Sequence, residues 1–186
     1  MHDLAPLTAL GSSAPQSDTI GPVTITENPD MALVSVAARL GQDAACTTAL
    51  ARILGTSAPD VAQFVQGPTL AAFWSAPHCW MVTGPDDPQS DLSTRLKADL
   101  PHMASVTDQS GGWVRFDMQG DGLGALFERL CNLDMARMAQ GGARRTVIDH
   151  LGCFVLCHGG GVTVYGPRSG ARSLHDALIT AARSVF

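Results

Sequence analysis

The chain has 186 residues, of which 45% are hydrophobic and only 16% charged, and its formal net charge is −5. A single lysine, Lys97, stands beside eleven arginines, and nothing is more basic than the pair Arg144-Arg145. There is no cationic stripe for a nucleic-acid backbone or an anionic membrane, and no run of 18 apolar residues to span a bilayer.

Charged residues usually make up roughly a quarter of a globular chain. With a mean hydropathy of +0.11, a chain this poor in charge is expected to cover part of its surface with a partner. The opening MHDLAPLTALGSSAPQSD has no Lys or Arg ahead of its apolar residues, so no secretory leader is expected and the cytoplasm is the expected location.

Residues 1–20, rich in Pro, Ser, Ala and Gly, read as an extended, loosely ordered arm whose Leu4, Leu7 and Leu10 can lie on a neighbouring surface. PVTITEN (22–28) alternates and is β-branched, which predicts a short strand ending before Pro29. Residues 31–40 predict another strand. After the break Gly41-Gln42-Asp43, residues 44–54 have apolar positions at helical spacing, with Asp43 as N-cap and Gly55 as stop. LAAFWSA (70–76) and HCWMVTG (78–84) form a hairpin about Pro77, and Leu92, Leu96 and Leu100 mark a helix from residue 86 to about 100, closed by Pro101.

The second half begins with a strand at 104–110. In 112–120, Trp113, Arg115 and Asp117 alternate with Val114, Phe116 and Met118, the pattern of a half-buried strand. Gly120-Asp121-Gly122 breaks it, Asp121 serves as a cap, and residues 123–135 predict a helix with Leu123, Leu126, Phe127, Leu130 and Leu133 on one face. Residues 144–158 and 162–166 read as strands joined through Gly159-Gly160-Gly161. Gly166-Pro167 opens a final helix with Leu174, Leu178, Ile179 and Ala182 at core spacing.

WMVTGP (80–85) thus returns as VTVYGP (162–167), and the flanks return with it. Each half runs strand, glycine break, helix, connector, hairpin, Gly-Pro, helix. Two copies are too few for a solenoid. The pattern predicts an α+β fold made by duplication, with mainly antiparallel sheets and flanking helices. Residues 21–101 and 102–186 would be its two subdomains, integrated into one domain.

Residues that could do chemistry read mostly as structure. The five cysteines are an odd number without framework spacing, and Cys153 and Cys157 on one strand would lie about 13 Å apart, too far to chelate one ion or bond to each other. Buried free thiols are the expectation. GDGLGA (120–125) approaches a dinucleotide fingerprint but has Ala125 in place of the third glycine and no parallel βαβ unit after it, so it reads as a tight strand-to-helix turn. His78-Cys79, Cys157-His158 and Asp149-His150 suggest a metal or a nucleophile, yet adjacent strand residues point to opposite faces and zinc needs four converging ligands. No catalytic or metal-binding residue is expected. Trp74 and Trp80 suit a core. Trp113 shares the polar face of Arg115, which makes Trp113 and Arg115 the expected partner interface. Arg144-Arg145 reads as a solvated strand edge.

The segments FWSAPHCWMVTGP (73–85), VTDQSGGWVRFDMQGDG (106–122) and CNLDM (131–135), with Arg145-Thr146 opening the next strand, resemble the gamma subunit of heterotetrameric sarcosine oxidase. The resemblance runs from about residue 20 to residue 183. It implies the folate-binding fold shared with the glycine-cleavage aminomethyltransferase, itself a duplication of two α+β subdomains. It also implies a complex that oxidatively demethylates sarcosine to glycine and hydrogen peroxide and passes the one-carbon unit to tetrahydrofolate.

In that reading the alpha, beta and delta subunits are the partners, alpha above all. FAD, FMN, NAD, zinc and tetrahydrofolate belong to those other subunits, and this chain has no cofactor and no catalytic role. The family fold's transferases place an acidic pair in the turn that approaches folate. Here that turn reads SAPHC (75–79), without a carboxylate. The alternatives are a stand-alone folate-dependent one-carbon enzyme and a small-molecule-binding module without an enzyme partner.

Overall fold

The structure, a computed structural model, describes residues 5–87, 91–138 and 140–186. Strands β1 (Ser17–Ile20), β2 (Val23–Glu27) and β3 (Ala32–Ala38) precede α1 (Asp43–Leu54). Then come β4 (Phe64–Gln66), the hairpin of β5 (Ala71–Ala76) and β6 (Cys79–Gly84), and α2 (Leu92–Asp99). The rest of the chain is β7 (Ala104–Asp108), β8 (Trp113–Gly120), α3 (Leu123–Leu130), β9 (Ala143–Ile148), β10 (Leu151–His158), β11 (Gly161–Pro167) and α4 (Ala171–Val185).

The strands form two sheets, in the orders β4-β5-β6-β3-β7 and β1-β2-β8-β11-β10-β9. Within them β4-β5-β6-β3 and β9-β10-β11-β8 follow the same order, as a duplication requires. The strand that leads each half has changed sheets. β2 pairs antiparallel with β8, Val23 opposite Gly120, and β7 pairs antiparallel with β3, Val36 opposite Val106.

The boundaries expected at 21–101 and 102–186 are therefore displaced. One compact unit holds Asp30–Gly111 with Gly141–Ala143; the other holds the chain up to Pro29, Gly112–Gln140 and Arg144–Phe186. Strand alternation tells which face is buried but not which strand lies alongside, so the exchange left no mark in the sequence pattern.

Each unit has its own core. In the first, Leu50 and Leu54 of α1 and Leu92 and Leu96 of α2 meet Val34, Val36 and Val82 of the five-stranded sheet. In the second, Leu126 and Phe127 of α3 and Leu174 and Leu178 of α4 cover Ile25, Phe116, Met118, Val155 and Val164. The predicted alternation of β8 holds: Val114, Phe116 and Met118 are buried, and Trp113, Arg115 and Asp117 lie half-buried on the opposite face.

Several boundaries moved for identifiable reasons. α1 is capped by Gln42, and Asp43 is its first residue, placing a negative charge in the first turn. α2 starts only at Leu92, because Asp91 caps it by accepting from the Ser93 amide at 2.9 Å; part of the helix expected from residue 86 lies outside the described residues. α3 is capped by Gly122 rather than Asp121 and stops at Leu130. Beyond it, the Asn132 carbonyl oxygen accepts from the Thr146 hydroxyl, and Asp134 accepts the amides of Ala136 and Arg137. Those side-chain bonds compete with helix continuation.

Residues 144–158 divide into two strands at Asp149-His150, both with positive φ (46° and 66°), as a two-residue hairpin turn needs. Pro167 ends β11, and α4 begins after a short 3-10 turn. The arm is more ordered than expected. Ser17–Ile20 pairs with β2, and Leu10 is buried; Leu4 lies outside the described residues. Gly120 has φ +116°, and a Cβ there would fall inside the carbonyl group of Pro22 on the neighbouring chain segment, so the β8–α3 turn closes only on glycine.

Candidate functional site

The outward face of β8 holds a polar network that sequence reading missed. The Asp117 Oδ1 accepts from Arg115 Nε at 2.8 Å and from the Thr163 hydroxyl at 2.6 Å, while Oδ2 accepts from Asn28 Nδ2 at 2.9 Å. Thr163 sits directly across from Asp117 in the β8–β11 ladder. Its proton is committed to Asp117, so its oxygen accepts from His158 Nε2 at 3.1 Å. Nδ1 of that ring then accepts the Gly160 amide at 3.3 Å. The chain of donors fixes one neutral tautomer of His158.

The charges follow the same geometry. Burial works against the charge of Arg115, yet Tyr165 and Asp117 outweigh it and raise the guanidinium above its ordinary value. Burial is also the main cause lowering the His158 pKa from 6.5; Asp117 opposes the shift and Arg115 adds to it. A histidine whose folded pKa lies below its unfolded value favours the unfolded chain once that chain takes up the proton. Its contribution is complete above about pH 6.5 and is lost as pH falls below it. His158→Gln should therefore flatten the melting temperature between pH 7 and pH 5 relative to the parent chain. Parallel pH profiles for the two proteins would show that His158 does not titrate this way.

Of the expected interface pair, Arg115 is engaged internally and 27% exposed at its side chain. Trp113 is half-buried, its ring 5.4 Å from that of Phe154, over which the exposed Arg145 guanidinium lies at 5.7 Å. Trp80 is a core residue, with its indole nitrogen donating to the Pro59 carbonyl at 2.9 Å. Trp74 is half-buried beside the irregularity of the β5–β6 hairpin.

Of the adjacent Cys and His pairs, Cys157-His158 separates as alternation predicts, whereas His78 lies in the β5–β6 turn with positive φ (58°) and only Cys79 belongs to a strand. Cys157 rests on the core, and His158 joins the network on the other face. Cys153 is pushed up to about 11, chiefly by burial, and burial also raises Cys46 and Cys157. Thiols held protonated are poor nucleophiles. The glycine string opens the turn into α3. At the β5–β6 turn, Asp43 of α1 comes within 3.3 Å of His78 Nδ1, a carboxylate that the hairpin's own sequence lacks, but both side chains are exposed (44% and 63%). Among the described residues, no group of three or more His, Cys, Asp or Glu converges on a metal position, and no helix is long and apolar enough to cross a membrane.

No protein-family model and no curated protein sequence matches this chain. Solved structures do. A chain of heterotetrameric sarcosine oxidase from Corynebacterium sp. U-96, in complex with pyrrole 2-carboxylate, aligns with a TM-score of 0.73 at 20% identity, over 87% of this chain and 84% of that one. Glycine cleavage system aminomethyltransferase T from Bartonella henselae aligns with a TM-score of 0.68 at 16% identity, over 89% of this chain. The likeness establishes the fold. It is the α+β fold expected from the resemblance, with two antiparallel sheets and flanking helices. This chain spans half the length of the aminomethyltransferase chain (50%).

Proposed function

We propose that this chain is the gamma-type subunit of a sarcosine-oxidase-type complex, one that oxidatively demethylates sarcosine and delivers the one-carbon unit to tetrahydrofolate. The observation behind this reading is a fold match that covers both chains almost end to end, 87% and 84%, in a heterotetrameric oxidase. The two shares put the matched chain close to this one in length.

The subunit's role in this proposal is architectural, with its main contact on the alpha chain and FAD, FMN, NAD, zinc and tetrahydrofolate held by the other subunits, in the cytoplasm. The residues present support that assignment. Burial pushes the thiols of Cys46, Cys153 and Cys157 up, toward the protonated form, and the acid, hydroxyl and imidazole of the polar network spend their hydrogen bonds on one another.

Co-expression with the alpha, beta and delta chains tests the assignment. The expected result is a stoichiometric complex whose turnover per assembled particle survives Cys157→Ala, His158→Ala and Asp108→Ala, the last at the exposed end of β7, where the carboxylate accepts from the Ser110 amide and hydroxyl. A thousandfold loss of turnover in an intact particle, about 4 kcal/mol of barrier, would make one of those groups catalytic and end the architectural reading. An isolated chain that transfers one-carbon units to tetrahydrofolate would favour the stand-alone enzyme instead. Trp113 is proposed as a docking anchor. Trp113→Ala should weaken assembly by about 2 kcal/mol, roughly thirtyfold in affinity, and an unchanged dissociation constant would remove Trp113 from the interface.

A further inference from the structure

A cleft of about 770 Å³ opens beside α3, walled by that helix, the turns after it and the tip of the β10–β11 hairpin. Small-molecule sites commonly measure roughly 300–1,000 Å³. Its floor is apolar: Leu123, Leu133, Met135 and Cys157 are half-buried side chains resting on the core. Its titratable lining holds the carboxylates Glu128 and Asp134 and the imidazole of His158 at the hairpin tip, with no Lys or Arg. Asp134 is already engaged by the amides of Ala136 and Arg137 and by Arg137 Nε at 3.3 Å. Glu128 is exposed at the cleft and has no hydrogen bond or ion pair among the described residues.

Gly124 is the second observation. It lies in the first turn of α3, four positions before Glu128 and so on the same helix face. Its φ is not positive, and a Cβ there would meet nothing within 4 Å. Neither backbone nor packing requires glycine, and alanine is the better helix former. Gly124 lines the cleft and leaves the space beside it unfilled next to Glu128; long helical side chains such as that of Glu128 lean toward the helix N-terminus, over that turn.

We propose that this cleft binds a small organic cation, an ammonium group on a short apolar chain, with Glu128 holding the ammonium and the floor of Leu123, Leu133 and Met135 taking the hydrocarbon. The site stands independently of the assembly proposed above.

The test titrates n-hexylammonium into the full chain, followed by calorimetry and amide chemical shifts, with n-hexanol as the neutral control. Saturable binding is expected, with shifts confined to the cleft and affinity at least about tenfold above that for hexanol, since the ion pair is what separates the two probes. Glu128→Gln should remove that tenfold preference. Gly124→Phe should fill the cleft and abolish saturation, whereas Gly124→Ala should raise the melting temperature and keep binding; where Gly124→Phe fails to fold, Glu128→Gln decides. Equal affinity for the two probes, a preference that survives in Glu128→Gln, shifts scattered away from the cleft, or no saturation at millimolar probe would each overturn the site.

Discussion

Gly120→Ala should cost the fold on the order of 4 kcal/mol and lower the melting temperature by about 10 °C. Two penalties add there. The residue sits at φ +116°, where a side chain is strained, and its Cβ would be driven into the carbonyl group of Pro22. Relief requires β2 to move off β8 at the Val23–Gly120 pair, which undoes the ladder that carries Val23 and Ile25 into the core. Gly111→Ala is the control, because a Cβ at Gly111 has no positive φ to strain and nothing within 4 Å. A melting temperature for Gly120→Ala within error of that control would mean that β2 is not seated as described.

Glu27→Ala should cost about 2–3 kcal/mol, the loss of a buried charged acceptor with its donors left unmatched, and should free the N-terminal arm. Glu27 is 2% exposed and ends the inward-facing side of β2. Its two carboxyl oxygens accept the Leu10 amide at 3.0 Å and the Gln16 amide at 3.4 Å. Outside β1 the arm is also held by the Glu27 amide to the Gln16 carbonyl (2.8 Å), by Leu10 in the core, and from α4 and the turn before it by Arg172 to the Leu10 carbonyl (3.0 Å) and Arg168 to the Leu7 carbonyl (3.2 Å). Hydrogen exchange at the Leu10 amide reports the release directly. Glu27→Gln retains one acceptor oxygen and should fall between parent and alanine variant. An amide at Leu10 that stays as protected in Glu27→Ala as in the parent chain would show that the carboxyl group is not the latch.

What could be read from the sequence was what local periodicity encodes. The alternation of β8, the hairpin about Pro77 and the helical spacing of α4 came from residues close together in the chain, and the repeated order of elements around the two Gly-Pro pairs came from setting one such local pattern beside the other. What could not be read depends on partners far away in the chain or on side chains that redirect the backbone. Asn132 and Asp134 end α3 through bonds that helical spacing does not register, and Asp149-His150 makes a turn that is usually signalled by Asn-Gly or Asp-Gly. The polar network was half visible. The alternation set Arg115 and Asp117 on one face, but their bonds to each other, to Asn28 and to Thr163 needed the strand order. That is why the internal bonds of Arg115, a residue expected at a partner interface, went unread.

The exchange of β2 and β7 has a bearing on how the chain is made. When residues 30–111 have left the ribosome, all five strands of the β4-β5-β6-β3-β7 sheet exist, and most of that unit can close on itself. β1 and β2 are older, yet their sheet has no β8 to join. Asn28 must wait for Asp117, 89 positions later, with Val23 and Ile25 unburied in the meantime. Long-range pairing of this kind slows folding and leaves apolar strands exposed, so β1 and β2, though made before the five-stranded unit, are among the last elements to be folded.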